Sequence, residues 1–364
     1  MNKILAQKFP PDLSSIYDEE LANQLAETQG AIGSLKQIPR LLTNAALLMR
    51  PILSKEAESS SQLEGTQASI DDVFKIGVIG QTDEERHEAF EIYNYEKAML
   101  EGIEILKKYN LNNFLIRSIH KTLMTGTRGK NKNPGEFRKK PVWIGQSGTG
   151  KGKARYVPPE PIHVAQLMEE LEKFILSPSS TNPLIVAGVI HHHFEAIHPF
   201  EDGNGRVGRL LITLFLIKKG LLEMPILYPS GYFERHKRLY MSALSKVDKK
   251  QNWRAWLLFF LKGLEEQAKI SLNLSIKIDE LFKKSRAMIE TETAGLGLIR
   301  ALEATFSRPY ITAPILSRMT HIPRPTCVRY LEKLAEKKII NDKGIQMKQR
   351  VYSNDKLRAI LNKI

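Results

Sequence analysis

Apolar residues recur every three or four positions along most of the chain, which is the spacing of one face of an α-helix. Residues 14–30 follow this pattern from Ile16 onwards, and leucines continue it through 40–64. Pro51 is expected to bend or restart the helix in the second segment. Further helices are predicted over 112–124, 162–176, 183–194, 205–222, 234–247 and 253 to about 288. The body of the protein is therefore predicted to be mainly helical.

A different pattern appears between residues 142 and 157. The stretches VWIG, at 142–145, and ARYV, at 154–157, favour strands and flank a glycine-rich segment, so we predict a short β-hairpin. The segment GQSGTGKG, at 145–152, is close to a P-loop. Gly152 stands where a P-loop has the Ser or Thr that binds Mg2+, and no helix pattern follows, so we interpret the segment as the tip of the hairpin.

The end of the chain has its own order of elements. Helices are predicted over 295–305, 312–319 and 324–338, then a hairpin with Lys343–Gly344 at its tip, then a helix from Asp355. This is the order of a winged helix-turn-helix domain. The long preceding helix would connect that domain to the body.

Composition limits the class of protein. At 364 residues the chain exceeds the usual size of one hydrophobic core, and 42% hydrophobic with 26% charged residues is typical of a soluble globular protein. Pro10 and Pro11 interrupt the start before any apolar signal segment, and no run has membrane-spanning length. We therefore expect a cytoplasmic protein with no membrane partner. The single cysteine, Cys327, excludes an internal disulfide and a multi-cysteine zinc site.

The net charge of +14 favours polyanionic partners and is concentrated near the end of the chain. Residues 290–364 contain 14 Lys and Arg against 7 Asp and Glu, which is half of the excess. DNA is therefore a candidate partner of the C-terminal domain. The cations in question are Arg324, Arg329, Lys333 and Lys337 on the predicted helix and Lys343, Lys348 and Arg350 on the hairpin. A solvated face or a protein-binding domain would give the same pattern.

The segment HPFEDGNGRVGR, at 198–209, combines several groups suited to phosphates. Gly203, Asn204 and Gly205 can form a nest of backbone amides, and a predicted helix starts at that point with the positive end of its dipole. Arg206 and Arg209 lie three residues apart on that helix, so both can reach one polyphosphate. Each group alone is common in connecting loops, but their combination within twelve residues predicts an anion site.

Two further side chains of this segment indicate chemistry. Asp202 offers a carboxylate to the Mg2+ that accompanies a triphosphate, and His198 can accept a proton near neutral pH. Such an arrangement requires no protein nucleophile.

This segment closely resembles the signature of the Fic (filamentation induced by cAMP) family, H-x-F-x-D/E-G-N-G-R-x-x-R, and every position is filled. The resemblance covers roughly 113–261 and implies a Fic-type helical bundle with a β-hairpin flap. It further implies transfer of AMP from Mg2+-ATP to Ser, Thr or Tyr hydroxyls of target proteins and of the chain itself. A kinase-like branch of the family has lysine at the position of Gly205, so the glycine favours nucleotidyl transfer.

The resemblance also implies individual roles. His198 would deprotonate the target hydroxyl, and Asp202 would hold Mg2+. The phosphates would be bound by Gly203, Asn204, Gly205, Arg206 and Arg209, with Arg206 on the departing pyrophosphate and Arg209 on the γ-phosphate. The flap residues Val142, Trp143, Ile144 and Gly145 would clamp the nucleotide and align the target, and Tyr240 would line the adenine pocket unless it is simply a core residue.

A second short motif lies upstream, where Ser60-x-x-x-Glu64-Gly65 matches an inhibitory motif of some Fic proteins. A carboxylate paired with Arg209 would occupy the place of the γ-phosphate. The alternative is that Glu64 merely ends a helix and Gly65 caps it.

The run His191–His193 invites a metal site, but successive helical residues point about 100° apart and do not converge on one ion. We assign no metal there and expect one ring to pack inward or support the loop of His198.

The predicted domains are an N-terminal helical region (1–110) with the inhibitory motif, a Fic core (111–265), a connecting helix (266–289) and a winged helix-turn-helix domain (290–364). The leading hypothesis is an adenylyltransferase inhibited by Glu64. The alternatives are a DNA-binding regulator with a nucleotide-sensing core and a bifunctional enzyme that also removes AMP. A homodimer is a further expectation from the resemblance.

Overall fold

The computed structural model of the chain describes residues 9–42, 44–80, 82–127, 131–145, 154–290 and 295–363. The N-terminal part contains α1 (Glu19–Leu41), α2 (Ala46–Leu63), α3 (Ile70–Lys75) and α4 (Asp83–Leu106). The middle contains α5 (Asn113–Met124), α6 (Val164–Leu176), α7 (Pro183–Ile197), α8 (Asn204–Lys218), α9 (Ser230–Arg235) and α10 (Lys237–Lys250). The long α11 (Trp253–Ala287) leads to the C-terminal part. That part consists of α12 (Gly295–Ser307), β1 (Tyr310–Ile311), α13 (Ala313–Thr320), α14 (Arg324–Glu336), β2 (Asn341–Gln346), β3 (Gln349–Ser353) and α15 (Asp355–Leu361). The prediction of a mainly helical protein is confirmed.

The helices α7, α8 and α11 form the centre of the core. α7 is apolar on nearly all sides and packs against both of the others. The Trp256 Nε1–H group on α11 donates a 2.9 Å hydrogen bond to the Gly188 carbonyl on α7. A Cβ atom at Gly188 would lie 2.8 Å from the Leu257 side chain, so the glycine permits this close approach. The approach fixes the direction of α7, which ends at His198.

The helix α2 is enclosed by the rest of the protein. Every residue from Pro51 to Ser61 is buried, and α2 contacts α4, α8, α9 and α12. The Glu56 carboxylate accepts hydrogen bonds from the Ser230 backbone N–H (2.9 Å) and from the Tyr95 hydroxyl (2.7 Å). These bonds tie α2 to α9 and α4, so α2 is a structural element of the core.

The expectation for Pro51 is wrong in one respect. The helix restarts at Ala46, five residues before Pro51, and then continues through the proline to Leu63. A proline this close to the start of a helix removes only one hydrogen bond of the ladder, so the helix tolerates it.

The C-terminal part contains an antiparallel sheet in the order β1-β3-β2. The predicted helices and hairpin are present, but the predicted hairpin tip is wrong. The turn lies at Met347 and Lys348, whose φ angles of 47° and 62° suit a tight two-residue turn. Gly344 instead lies within β2, where the pairing register shifts between Asp342 and Ile345. The positive φ of Gly344 therefore belongs to a bulge in the strand and not to the hairpin turn.

The C-terminal part packs against the segments on both sides of α2. On α15, the Arg358 Nε–H group donates a 2.8 Å hydrogen bond to Asp71 on α3, and the guanidinium lies 4.6 Å from the ring centre of Tyr310. The side chain of Asn44 donates a 2.9 Å bond to Glu303 on α12. The first and last parts of the chain are thus in direct contact. Among the described residues, no helix combines the length and apolar character needed to cross a membrane.

The packing of α7 on α11 leads to a prediction about glycines. We expect Gly188→Ala to lower the free energy of unfolding by about 1–3 kcal/mol, because the added methyl group enters a filled space. Gly33→Ala, in an exposed part of α1 with no atom within 4 Å of the new Cβ, should raise it by about 0.5–1 kcal/mol. Urea unfolding of both variants measures the two effects. Equal stability of Gly188→Ala and the wild type would contradict the close approach of the two helices.

Candidate active site

The candidate site is built on the turn between α7 and α8. α7 ends at His198, which adopts a left-handed conformation (φ 51°) while its backbone N–H donates to the Phe194 carbonyl (2.9 Å). α8 begins after Gly203, whose φ is 78°. A Cβ atom at Gly203 would lie 2.8 Å from the Met124 sulfur, so both backbone angle and space require glycine. The chain reverses here, and α8 begins directly after the turn.

The side chain of Asn204 holds this turn closed. Its amide donates to the Phe200 carbonyl (2.9 Å) and its oxygen accepts from the Phe200 backbone N–H (2.8 Å). Phe200 is fully buried and stacks on His120, with ring centres 3.7 Å apart. The contacts of Asn204 therefore fix the shape of the loop that leads into α8.

His120, on α5, is a residue of the site that sequence reasoning missed. Its Nδ1 atom accepts from the Gly135 backbone N–H (2.8 Å), so its Nε2–H group donates to the Asp202 carbonyl (3.0 Å). Burial lowers the pKa of His120 to about 4, which keeps the ring neutral. A lone histidine within an apolar helix pattern gives no sequence signal for this role.

Arg138 was missed for a similar reason, because it lies in the basic run FRKKP and resembled a solvated residue. It is 2% exposed. Its Nε–H group donates to the His198 carbonyl (2.8 Å), and its Nη2 group donates to the Pro159 carbonyl (2.5 Å). Arg138 thus fixes the backbone of His198 to the base of the flap.

Arg209 is the most deeply buried charge of the site, at 1% exposure. It donates hydrogen bonds to the Ser60 hydroxyl and carbonyl (both 2.8 Å) and to the Glu64 carboxylate (2.7 Å). Burial alone would lower the pKa of Arg209, but the charge of Glu64 raises it above its usual range. The guanidinium is therefore held by one helical turn of α2.

Glu64 follows the last residue of α2, and Gly65 (φ 100°) turns the chain away. The Glu64 carboxylate lies over the first turn of α8, where a Cβ atom at Gly205 would be 2.1 Å from its Oε1 atom. Burial tends to raise the pKa of Glu64, and Arg209 outweighs this and lowers it. The side chain is still 40% exposed, so the carboxylate is an anion at the helix N-terminus that also borders solvent.

Arg206 lies next to this position with unused hydrogen-bonding capacity. Its guanidinium is 3.7 Å from Glu91 and 3.6 Å from Asp202, and its Nε and Nη1 atoms are buried without a hydrogen-bond partner. Asp202 accepts from the Gly203 N–H (2.6 Å), yet its side chain is 45% exposed. These groups leave donors for an anion and one accessible carboxylate for a cation.

His198 is partly buried and lines the same cavity as Glu64. Burial lowers the pKa of His198 to about 4, and the charge of Glu64 opposes this only in part. The imidazole is therefore neutral near pH 7 and able to accept a proton.

The cavity has a volume of about 110 Å³ and lies between α7, α8, α10 and the flap. It is lined by Glu64, Ile144, Arg155, Tyr156, His192, Glu195, Ala196, His198, Gly205, Arg209, Tyr240, Met241, Leu244, Ser245 and Asp248. The sequence-predicted residues Glu64, His198, Gly205, Arg209, Tyr240 and Ile144 thus meet here. Gly203, Asn204, Arg206 and Asp202 lie on the adjoining turn, outside the lining.

The described part of the flap is less paired than predicted. Among residues 142–145 and 154–157, one bridge joins Ile144 to Tyr156 in place of two strands, and the Tyr156 hydroxyl donates to the Ala196 carbonyl (2.9 Å). Val142, Trp143 and Gly145 do not line the cavity, and Trp143 is 46% exposed. The segment interpreted as the hairpin tip, beyond Gly145, lies outside the described residues.

The three consecutive histidines face three different neighbours. His191 donates through Nδ1 to the Gly208 carbonyl (3.0 Å), so its Nε2 atom accepts from the Tyr240 hydroxyl (2.8 Å). The Nε2 atom of His192 lies 3.3 Å from Asp248, and His193 stacks on Phe9. His191 therefore links α8 to the cavity wall, which the sequence did not indicate.

Glu195, one turn before His198, is a carboxyl of the cavity that the sequence analysis did not predict. Its Oε1 atom is buried without a hydrogen-bond partner, and it fills the space over Gly208, where a Cβ atom would be 2.2 Å away. Burial raises the pKa of Glu195 to about 8, although Arg209 opposes the shift. The group is therefore largely protonated near pH 7.

Comparison with known families matches two parts of the chain. Residues 110–216 match the Fic/DOC family, and residues 22–104 match the N-terminal region of the same family. Together these parts make up just over half of the chain. The chain belongs to the Fic/DOC family. The Fic match extends from just before α5 into α8 and contains the turn of His198.

Relatives and solved structures agree with this Fic assignment. The chain is similar to a probable protein adenylyltransferase from Aquifex aeolicus, with 28% identity over 203 residues, which are 54% of this chain and 55% of the relative. A protein adenylyltransferase Fic from Drosophila willistoni is 30% identical over 169 residues, which are 46% of this chain and 30% of the relative. The match thus spans about half or less of these relatives. A Fic family protein from Desulfovibrio desulfuricans shares the fold, with a TM-score of 0.61 and 19% identity over 95% of this chain and 98% of that one.

The carboxyl of Glu195 in this Fic protein, whose Oε1 atom is buried, leads to a prediction about pH and stability. The folded chain keeps the proton of Glu195 up to about pH 8, whereas an ordinary glutamate loses it near 4.5. Unfolding between pH 4.5 and pH 8 therefore releases a proton from Glu195. The Glu195 carboxyl thus makes the wild type less stable as the pH rises through this range. We expect the melting temperature of Glu195→Gln, minus that of the wild type, to increase from pH 5 to pH 8. A constant difference in calorimetry would contradict the buried neutral acid.

Proposed function

We propose that this chain transfers AMP from Mg2+-ATP to Ser, Thr or Tyr hydroxyls of proteins, and that Glu64 inhibits the transfer. The observation that carries the proposal is the position of the Glu64 carboxylate, bonded to Arg209 over the first turn of α8. Helix N-termini with convergent arginines bind phosphates. The names of the Aquifex and Drosophila relatives support the adenylyl donor.

The geometry supports competition between Glu64 and a nucleotide. The carboxylate occupies the place that a terminal phosphate would take on Arg209. The remaining cavity of about 110 Å³ is below the roughly 300 Å³ or more of typical ligand sites. A triphosphate therefore binds productively only when the Glu64 side chain has moved away.

The chemistry follows from the positions of His198 and Arg206. Neutral His198 takes the proton of the target hydroxyl while the hydroxyl oxygen bonds to the α-phosphorus. The bond from the α-phosphorus to the bridging oxygen breaks, and pyrophosphate leaves with the electron pair. The free donors of Arg206 stabilise this departing charge.

Asp202 fits the proposed Mg2+. The described residues contain no cluster of three or more His, Cys, Asp or Glu side chains that could hold a metal ion, so the phosphates would supply the other ligands. The accessible carboxylate of Asp202 is the protein ligand. The ion would neutralise charge on the phosphates during transfer.

The flap supports a role in target alignment. Ile144 faces the cavity while Trp143 is exposed, so the edge formed by residues 142–145 borders both nucleotide and solvent. An extended target segment that pairs with this edge would bring its hydroxyl to His198 with little demand on sequence.

The proposal predicts a gain of activity in Glu64→Gly. Loss of a charge-assisted hydrogen bond to Arg209 should raise auto-modification by about 10- to 100-fold. Intact-mass spectrometry after incubation with Mg2+ and ATP, CTP, GTP or UTP measures the adduct. We expect one or more additions of AMP, with ATP preferred. An unchanged rate in Glu64→Gly would contradict inhibition by Glu64.

A matched variant tests the base. Glu64→Gly/His198→Ala should lose about 10²- to 10⁴-fold of the activity of Glu64→Gly. An adduct formed at the same rate by both proteins would contradict the role of His198.

Two alternatives remain as hypotheses. In the first, Glu64 also orients water so that the enzyme removes AMP. AMP-modified target protein would then lose its AMP when incubated with the wild type but not with Glu64→Gly.

In the second alternative, the C-terminal part binds DNA as a winged helix-turn-helix domain. Arg324 and Arg329 are exposed, but Lys343 pairs with Asp355 (2.7 Å) and Arg350 with Asp342 (2.8 Å), which reduces the free positive charge of the hairpin. Salt-sensitive binding of duplex DNA by the full chain would support this second hypothesis.

We also propose that the first three domains end at residues 110, 265 and 289, that the protein is cytoplasmic and that it forms a homodimer.

A further inference from the structure

Glu195 has no part in the mechanism above, yet it lines the same cavity. His192 and Glu195 lie three residues apart on α7, His198 follows directly after the helix, and all three border the cavity. With a rise of 1.5 Å per residue, His192 and Glu195 are about 4.5 Å apart along the helix. The end of α7 and the residue after it therefore present a row of three polar side chains along the cavity wall.

The two ends of this row have different surroundings. At the His198 end lie Gly205 and Arg209, where phosphates are proposed to bind. At the other end, His192 lies 3.3 Å from Asp248 on α10. A nucleotide whose phosphates occupy the first end extends its base toward the second, so its sugar falls beside Glu195.

The state of Glu195 suits hydroxyl groups. Its Oε1 atom is buried and lacks a hydrogen-bond partner, which is costly unless a ligand supplies one. A protonated carboxyl can both donate and accept, as vicinal hydroxyls require, and it does not repel neighbouring phosphates. Gly208 provides the space for this carboxyl.

We propose that Glu195 binds the ribose hydroxyls of the nucleotide and makes the site select ribonucleotides over deoxyribonucleotides. The inference rests on the proposed function, because it assumes that a nucleoside triphosphate occupies the cavity.

The test measures binding separately from transfer. Calorimetric titration of Glu64→Gly/His198→Ala with Mg2+ and ATP, 2′-deoxy-ATP or 3′-deoxy-ATP gives affinities without turnover. We expect ATP to bind about 3- to 10-fold more tightly than at least one deoxy analogue. Adding Glu195→Ala to this protein should lower the affinity for ATP by the same factor and leave the affinity for that analogue nearly unchanged. Glu195→Gln should retain part of the preference for ATP.

Two control variants test whether the preference for ATP over the deoxy analogues depends on Glu195 or on the cavity wall in general. Tyr240→Phe, which alters the cavity wall at a hydroxyl already bonded to His191, should change the affinities of ATP and the analogues equally. Gly208→Ala keeps the carboxyl but displaces it, and should reduce the preference if its melting temperature shows that it folds.

The outcomes separate the inference from the proposed function. Equal affinities for ATP and both analogues before Glu195 is changed, or equal losses for all three in Glu195→Ala, would overturn the ribose role. ATP binding with the expected preference, combined with no adduct in Glu64→Gly, would leave the ribose role intact and count against the transferase. Failure to bind any nucleotide would overturn both.

Discussion

The burial of one guanidinium group governs the arrangement of this site. Arg209 is almost fully enclosed, and a buried cation is stable only with an anion and with acceptors for its N–H groups. Ser60 and Glu64 meet both needs in the present conformation. Any ligand that replaces Glu64 must therefore be an anion of similar reach. The same requirement explains why a carboxylate side chain and a phosphate group can compete for one place.

The sequence predicted the residues of the candidate site better than it predicted the residues that hold them in place. The turn of His198 and the start of α8 could be read from glycines and a helix pattern, because these depend on local backbone chemistry. His120, Arg138 and His191 hold that turn through contacts between residues far apart in the chain. Nothing near these residues in sequence distinguishes them from ordinary core or surface positions. Tertiary hydrogen bonds to backbone carbonyls leave no periodic signal.

The same distinction applies to the fold. Most helices were predicted within a few residues, since their apolar faces are long and regular. The hairpin turn at Met347 and Lys348 was missed because neither residue is typical of a left-handed turn, whereas nearby Gly344 is. The described ends of the flap show one bridge in place of two strands for a related reason, because strand preference in VWIG and ARYV does not determine how many residues pair.

The burial of α2 limits how the proposed inhibition by Glu64 could be relieved. Its residues contact several other helices, and Ser60 of the same helix would still hold Arg209 after Glu64 had moved. Removal or detachment of α2 would therefore expose the core and free Arg209 from Ser60 as well as from Glu64. Under the proposed inhibition, activation would instead be a rotation of the Glu64 side chain alone, at the end of a helix that keeps its place in the core.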